Sequence, residues 1–476
     1  MYLFLEFCIF ALPLLALVLV TDYVMNYYAT LIDVDKVSRK FKSFPAKVPL
    51  SNHKNTLYIV TGGAGFIGSW IIRFLLLRNE KNIICLDTNS TVPADLTKHG
   101  VKHFVCDLTD KEELQEIIEN ELDIKEGGSD IVVYHAAAIQ RYFLGWFGLH
   151  QNVANRNIEM VQSIVDVFTD LSKEIGKPIY IINISDAISK RQPVNWWKFW
   201  QYKSWASPKS ISNNPRQYIS SYAKSKSESE AIILEANDAN TLITGSIEPQ
   251  GIVCGYYGDP LLSPCLYYKG VLSHAGSTPT SFLHVEDVAR AALLLESKLR
   301  GPTATRESVA GSSFLVSNGQ VERLDTVFTQ IKTHMELRVI KMNPALVLLV
   351  SYVAQLLALV LPGGRNGWRK RDDSLFSGRW WSLTPMRFAT LQLAQLPDLA
   401  RIEETRAKLD FTAAFTLEDT VLSTVNDYVS IDKRMDAAKK AREAREKAAQ
   451  EEKHKKELKE KYGVEVDSNN NTVKQK

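Results

Sequence analysis

Three side chains at fixed positions could together move a proton. Tyr222 and Lys226 stand four residues apart in the helical stretch SYAKSKSESE and therefore share one helix face. A phenol with an ordinary pKa of about 10 is a poor base at neutral pH, and a neighbouring ammonium stabilises its phenolate. Ser185 closes the apolar run IYIINIS and supplies a hydroxyl that can hold a substrate oxygen while Tyr222 takes the proton. Alone, a Tyr-x-x-x-Lys pair is common on solvated helices and Ser185 is an ordinary strand-end serine. Their weight comes from following several alternating blocks of strand and helix.

The first of those blocks carries a second kind of chemistry. TGGAGFIG, Thr61 to Gly68, lies directly between the strand-like LYIVT and the helical SWIIRFLLL. Gly62, Gly65 and Gly68 allow a tight turn, a close backbone approach to a pyrophosphate and close helix-strand packing, with the phosphates at the positive end of the helix. Phe66 and Ile67, inside the same turn, are assigned with the glycines to cofactor binding. The next strand, IICLD, ends at Asp87, where a carboxylate would bond the ribose hydroxyls of an adenosine and repel a ribose phosphate. No Lys or Arg occurs in the following TNST, so NAD is favoured over NADP. CDLTD places Asp107 and Leu108 at a further strand end, the acid to meet the adenine amino group and the leucine to pack on its ring; Ala136, in HAAA after IVVYH, is the remaining cofactor position.

The elements that must position these residues follow a period-two pattern broken by helices. The runs at Leu57, Ile83, Ile131, Ile179 and Thr241 are short and β-branched, and helical patterns separate them. That alternation predicts an α/β fold with a Rossmann-type, doubly wound parallel sheet over residues 56–430, completed by a smaller C-terminal substrate-binding part. A chain of 476 residues with 45% hydrophobic content has ample core for it. A formal net charge of +3 is too mild for a nucleic-acid partner. Cys8, Cys85, Cys106, Cys254 and Cys265 show no metal or redox spacing and read as thiols, the middle three beside apolar runs as small buried hydrophobes; no metal site is expected.

Outside the α/β unit the sequence points to lipid. Leu3 to Val20 is almost wholly apolar, interrupted only by Glu6 and Pro13, and residues 1–21 read as a transmembrane anchor rather than a cleaved signal peptide, which would carry a charged start and a small-residue cleavage site. Residues 22–55 form a linker bearing Lys36, Arg39, Lys40, Lys42 and Lys47, which puts the bulk of the chain on the cytosolic side. A second apolar run, 344–362, is followed by Arg365, Arg369, Lys370 and Arg371 and reads as a helix either buried in the protein or lying in the membrane interface. NWWKFWQYKSW, between Ser185 and Tyr222, holds four of the nine tryptophans: a loop that either dips into the bilayer or packs on the C-terminal segment. Residues 431–476 read as a solvated, charged helix ending in disorder.

TGGAGFIG, CDLTD, HAAA, NISDAI, YAKSKSESE and SFLHVEDVARA resemble, in order, the blocks of the 3β-hydroxysteroid dehydrogenases and sterol 4α-carboxylate 3-dehydrogenases within the extended short-chain dehydrogenases. The resemblance implies Ser185, Tyr222 and Lys226 as a catalytic triad, Lys226 also holding the nicotinamide ribose. It further implies NAD-dependent oxidation of a 3β-hydroxyl on a sterol or steroid, with decarboxylation or double-bond isomerisation as alternatives, in a single-pass protein of the endoplasmic reticulum membrane, and leaves room for a homodimer. A membrane-tethered nucleotide-binding scaffold is the non-enzymatic alternative. Two departures stand out: Glu248-Pro249 where the family has Arg-Pro, a reversed charge near the cofactor and substrate entrance, and Asn155-Arg156 where it has Gly-Thr.

Overall fold

A strand such as Thr56–Thr61, TLYIVT, has no charged residue on either side of its pleat and is stable only where both faces are covered. The computed structural model covers it on both. It describes residues 56–121, 130–139, 151–190, 221–255, 261–343 and 396–430, with isolated positions elsewhere. The elements are β1 (Thr56–Thr61), α1 (Phe66–Leu77), β2 (Ile83–Asp87), α2 (Ala94–Lys98), β3 (Lys102–Val105), α3 (Lys111–Glu121), β4 (Asp130–His135), α4 (Gln151–Ile175), β5 (Ile179–Ile184) and a 3-10 turn, Ala187–Lys190. There follow α5 (Ser221–Glu235), β6 (Leu242–Pro249), β7 (Ile252–Cys254), α6 (Leu262–Tyr267), β8 (Gly270–Ser273), β9 (Pro279–Thr280), β10 (Phe282–His284) and α7 (Val285–Leu299). The remainder is α8 (Thr303–Val309), β11 (Ser313–Val316), β12 (Glu322–Arg323), α9 (Leu324–His334), β13 (Arg338–Lys341) and α10 (Leu399–Leu409).

Among the described residues the main sheet has seven parallel strands in the order β3-β2-β1-β4-β5-β6-β11. The chain runs outward from β1 to β3, then returns to β4 on the other side of β1. The crevice beyond the carboxyl ends of β1 and β4 is therefore the switch point where such sheets take ligands. Alternation along β1 feeds two cores: Tyr58 and Val60 join Ile71, Leu75, Val288 and Leu293 on one face, and Leu57 and Ile59 join Val161, Ile164 and Phe168 on the other. The doubly wound α/β fold is as the sequence predicts. Three small pairings, β7 with β10, β9 with β12 and β8 with β13, form the smaller part built mainly from residues 252–341.

Two features close this unit, Met1–Thr424. In the block SFLHVEDVARA, the Asp287 carboxylate accepts the backbone N–H of Ala414 at 2.9 Å and of Phe415 at 3.2 Å, and the His284 ring stacks on Phe415 at 3.8 Å. The motif's role in the fold is thus to dock the returning carboxy-terminal segment. At the opposite edge, Glu296 of α7 accepts from Arg78 at 2.7 Å, Arg300 at 3.0 Å and Tyr134 at 2.8 Å. Its side chain and those of both arginines are buried.

Cys85, Cys106, Cys254 and Cys265 are buried, and burial pushes the first two thiols up to about 12. In the second unit, Val425–Lys476, Glu465–Val466 pair antiparallel with Val473–Lys474. Cys8, the linker 22–55, the loop from Trp196 to Trp205, and most of the anchor, of 344–362 and of the charged tail lie outside the described residues. Among the described residues, no helix is long and apolar enough to cross a membrane.

Removing one partner of a buried ion pair strands the other in a medium of low polarity. Glu296→Ala should therefore cost about 3–5 kcal/mol in urea unfolding, whereas Leu77→Ala, at a position 69% exposed, should change little.

Candidate active site

The glycine turn is built by contact distances. Gly62 has φ +68°, in the left-handed region, and a Cβ there would lie 2.7 Å from the Ala137 backbone. A Cβ on Gly68 would lie 2.3 Å from the Gly62 carbonyl oxygen, so the first turn of α1 can sit this close to the loop only without one. The Gly65 N–H donates to the Gly62 carbonyl at 2.9 Å and closes the turn. Gly65 caps α1 with no side-chain hydrogen bond, and the first turn holds no acid. The amino end of α1 thus presents backbone donors, as an anionic diphosphate requires. Phe66 and Ile67 are half-buried in that first turn.

Asp87 sits beside this turn: one carboxylate oxygen accepts the Ala64 N–H at 3.1 Å and the other the Asn89 N–H at 2.9 Å. Ala136 follows β4 next to the loop, its N–H donating to the Thr61 carbonyl at 3.1 Å. Asp107 follows β3 and accepts from the Thr109 hydroxyl at 2.8 Å and from Arg156 of α4. Burial disfavours its ionised form, but these partners outweigh it and hold the carboxyl below the usual range. Arg156, one of the two departures from the family pattern, is thus the counter-charge of the acid expected at the adenine. Leu108 is buried in the core layer under α3 and α4.

The second cluster lies at the ends of β4 and β5. The Ser185 N–H donates to the Ile247 carbonyl at 2.8 Å, which fixes its backbone to β6. Its buried Oγ has no hydrogen-bond partner among the described residues. Tyr222 and Lys226 are both buried on α5, and the Tyr222 hydroxyl lies 3.5 Å from the Asp186 carboxylate. The Lys226 ammonium donates to the Ile184 carbonyl at 2.8 Å. Burial lowers the Lys226 pKa against the opposing pull of Asp186 and Glu230. His135, at the end of β4, is pushed down to about 3 by burial and by Lys226, so it is a neutral ring, with Nδ1 2.8 Å from the Thr61 hydroxyl.

Sequence reasoning missed several residues here. Asn157 of α4 accepts the Ile139 N–H at 2.7 Å and donates to the Ser225 hydroxyl at 3.1 Å, tying the segment after β4 to the helix that carries Tyr222 and Lys226. Asp186 is a second: its place beside Ser185 was visible, its approach to Tyr222 was not. The third is a buried group of four charges. Glu248 is fully buried and makes a two-pronged contact with Arg401 of α10 at 2.8 and 2.9 Å, while Lys190 bonds Glu230 at 2.7 Å. The charge reversal at Glu248 is therefore compensated by a guanidinium from the carboxy-terminal segment. Burial works against the Glu248 carboxylate, but Arg401 and Lys190 hold it below the usual range. Burial and Glu248 push Glu230 up to about 7. A charged residue inside the otherwise apolar β6 was the signal that a partner existed.

With fold and site described, the doubly wound sheet and the glycine cradle at its switch point are those of a dinucleotide-binding protein. Residues 58–250 match the NAD dependent epimerase/dehydratase family and residues 208–339 the 3-beta hydroxysteroid dehydrogenase/isomerase family. The chain is 24% identical over 288 residues to a 3β-hydroxysteroid-dehydrogenase/decarboxylase of Arabidopsis thaliana, covering 57% of this chain and 46% of that one. It is 33% identical over 133 residues to an uncharacterized membrane protein of Methanocaldococcus jannaschii, covering 27% of this chain and 36% of the other. The chain thus spans less than half the length of these two relatives. The structure of Thermus thermophilus UDP-glucose 4-epimerase in complex with NAD superposes with a TM-score of 0.51 at 17% identity, over 78% of this chain and 99% of that one, a likeness of fold. The resemblance carried by the motifs is borne out: models of both families match adjoining, overlapping parts of the chain. The glycine cradle and Asp87 fit the NAD of the first matched family.

Two outcomes are expected. Gly62→Ala must relieve a backbone clash and a left-handed strain, and should weaken NADH binding, followed by fluorescence, at least about tenfold. Arg401→Ala leaves Glu248 buried without its main partner and should cost about 3 kcal/mol in urea unfolding, most of it recovered by adding Glu248→Gln. Because the Glu248 pKa is depressed in the fold, the wild-type advantage over Arg401→Ala should hold at neutral pH and shrink as pH falls below the ordinary carboxylate range.

Proposed function

We propose that this chain is an NAD-dependent oxidoreductase that oxidises the 3β-hydroxyl of a sterol or steroid at a membrane, its catalytic unit on the cytosolic side of the endoplasmic reticulum. The observation that carries the reading is the buried Ser185 hydroxyl at the switch-point edge, without a hydrogen-bond partner among the described residues, with Tyr222 and Lys226 buried on the adjoining helix. A buried hydroxyl without a partner costs free energy unless a ligand satisfies it.

Bound at the glycine turn, NAD supplies the hydride acceptor. Gly62, Gly65, Phe66, Ile67 and Gly68 hold its diphosphate, Asp87 its adenosine ribose, and Lys226 the nicotinamide ribose. Ser185 donates to or accepts from the substrate oxygen and fixes its position. Tyr222 takes the hydroxyl proton as the C–H electron pair leaves, and Lys226 stabilises the phenolate that does so. Asn157 holds α5 against the segment after β4 and so positions Tyr222. The Asp87 carboxylate selects against a ribose phosphate, and with it against NADP.

Apolar substrates suit a chain that begins with an apolar run and carries a tryptophan-rich loop between Ser185 and Tyr222. A second reading, decarboxylation, is favoured by the Arabidopsis relative named for that activity. Once a 3-ketone forms, a carboxylate on the neighbouring carbon can leave as carbon dioxide, its bonding electrons passing to the ketone oxygen.

Membranes carrying the protein, given NAD and 3β-hydroxysterols with and without a C4 carboxylate, should yield ketone by mass spectrometry. Loss of carbon dioxide identifies the second reading. Tyr222→Phe should lower the rate by about 10²–10⁴ with NADH binding retained. NADH binding without turnover of any sterol, and no change with Tyr222→Phe, would instead mark a scaffold.

A further inference from the structure

Exposed large apolar side chains on the folded unit are not scattered evenly. Leu77 and Val105 stand singly, but Tyr267 (65% exposed), Tyr268 and Ile340 flank one strand pairing, and exposed Leu346, Val350 and Val353 follow it in the chain. The two tyrosine rings end α6 and meet edge to face at 4.9 Å. The strand that follows, β8, pairs in parallel with β13: Gly270 lies opposite Arg338 and Leu272 opposite Ile340, and the Arg338 N–H donates to the Lys269 carbonyl at 2.9 Å. In a parallel ladder, residues directly opposite share a face, so Leu272, Arg338 and Ile340 lie on one side.

Beyond β13 the apolar surface continues. Asn343 accepts the Leu346 N–H at 3.3 Å through its side chain and the Val347 N–H at 3.0 Å through its carbonyl, starting a helical turn. Leu346, Val350 and Val353 fall four and three residues apart, an outward stripe, while Val347 is buried. The sequence stays apolar to Pro362 and then turns basic at Arg365, Arg369, Lys370 and Arg371. The charges flanking β8 and β13 in the chain are mostly cationic: exposed Lys269, Lys332, Arg338 and Lys341 against exposed Glu336 and half-buried Asp325, the last paired with Lys341 at 2.7 Å.

We propose that this surface, Tyr267–Tyr268 with the outer face of β8 and β13 and the stripe from Leu346, rests on an anionic bilayer. Tyrosine at the rim, aliphatic side chains beside it and long cations around it are the composition of the membrane interface, whereas the cores of protein contacts are depleted in lysine. The proposal deepens the membrane reading above by naming the face of the folded unit that meets lipid, the face of its smaller part. A substrate dissolved in the bilayer would then meet that part first.

The test uses the full chain in vesicles of phosphatidylcholine with about one fifth phosphatidylserine, enough anionic lipid to attract a basic surface. Nitroxide labels are placed at Tyr267→Cys, Ile340→Cys and Leu77→Cys in a Cys8→Ser background, and at native Cys8 in a separate sample; the other four cysteines are buried away from the label. Collision with oxygen, which enters lipid, is compared with collision with a water-soluble nickel chelate. Labels at 267 and 340 should favour oxygen several-fold more than the label at 77. Nickel access at 267 and 340 equal to that at 77 overturns the proposal, as does spin-spin broadening between copies, which would assign the patch to a second chain. The Cys8 label separates the readings: lipid-like at 8 but water-like at 267 and 340 leaves the anchor standing without the patch, and lipid-like at 267 and 340 supports the patch whatever Cys8 reports.

Discussion

A parallel sheet covered on both faces has only its strand ends left for chemistry, and this chain obeys that constraint throughout. All seven strands of the main sheet run the same way, so their carboxyl ends converge on one edge. Gly62 follows β1, Asp87 ends β2, Asp107 follows β3, Ala136 follows β4 and Ser185 follows β5. The residues proposed to cradle a dinucleotide and those proposed to hold a substrate oxygen meet there because the topology offers them no other exit. The opposite edge carries the buried Glu296 group with Arg78 and Arg300, which ties α7 to Tyr58 of β1 and Tyr134 of β4.

The same edge explains where charge has been buried. Glu248 lies next to the end of the buried strand β6 and is matched by Arg401, which comes from a helix far along the chain. Lys190, in the turn after Ser185, bonds Glu230, one helical turn beyond Lys226. Four charges thus bridge the serine-bearing turn, the tyrosine-bearing helix and the carboxy-terminal segment. Such a group is costly to bury and costly to break, so it fixes one arrangement of these elements. Together with Asp287, which captures the backbone of Ala414 and Phe415, it makes the carboxy-terminal segment part of the site's frame.

The parallel sheet was legible because period and context are local: β-branched runs, a glycine turn between strand and helix, and acids at strand ends. Tyr222 and Lys226 were legible because helical spacing alone puts them on one face. Arg401 was not, since its partner lies 153 residues away and only packing brings them together. Asn157 reads from sequence as one polar residue on a long helix, and its clasp on Ile139 and Ser225 appears only in three dimensions. Glu248 shows the limit from the other side: its type suggested a disturbed charge, and the fold supplied the compensating guanidinium. Leu108 likewise followed the expected motif, yet its side chain belongs to the core layer beneath the sheet.

In the proposed reaction the edge holding Ser185, Tyr222 and Lys226 sends the C3 hydrogen of a 3β-hydroxysterol to NAD as hydride. The most direct measurement is to supply a 3β-hydroxysterol carrying deuterium at C3 and to weigh the NADH produced by membranes bearing the protein. The account predicts one deuterium in each NADH formed, in step with the ketone. Ketone accompanied by unlabelled NADH, or no labelled NADH while the nucleotide still binds, would contradict it.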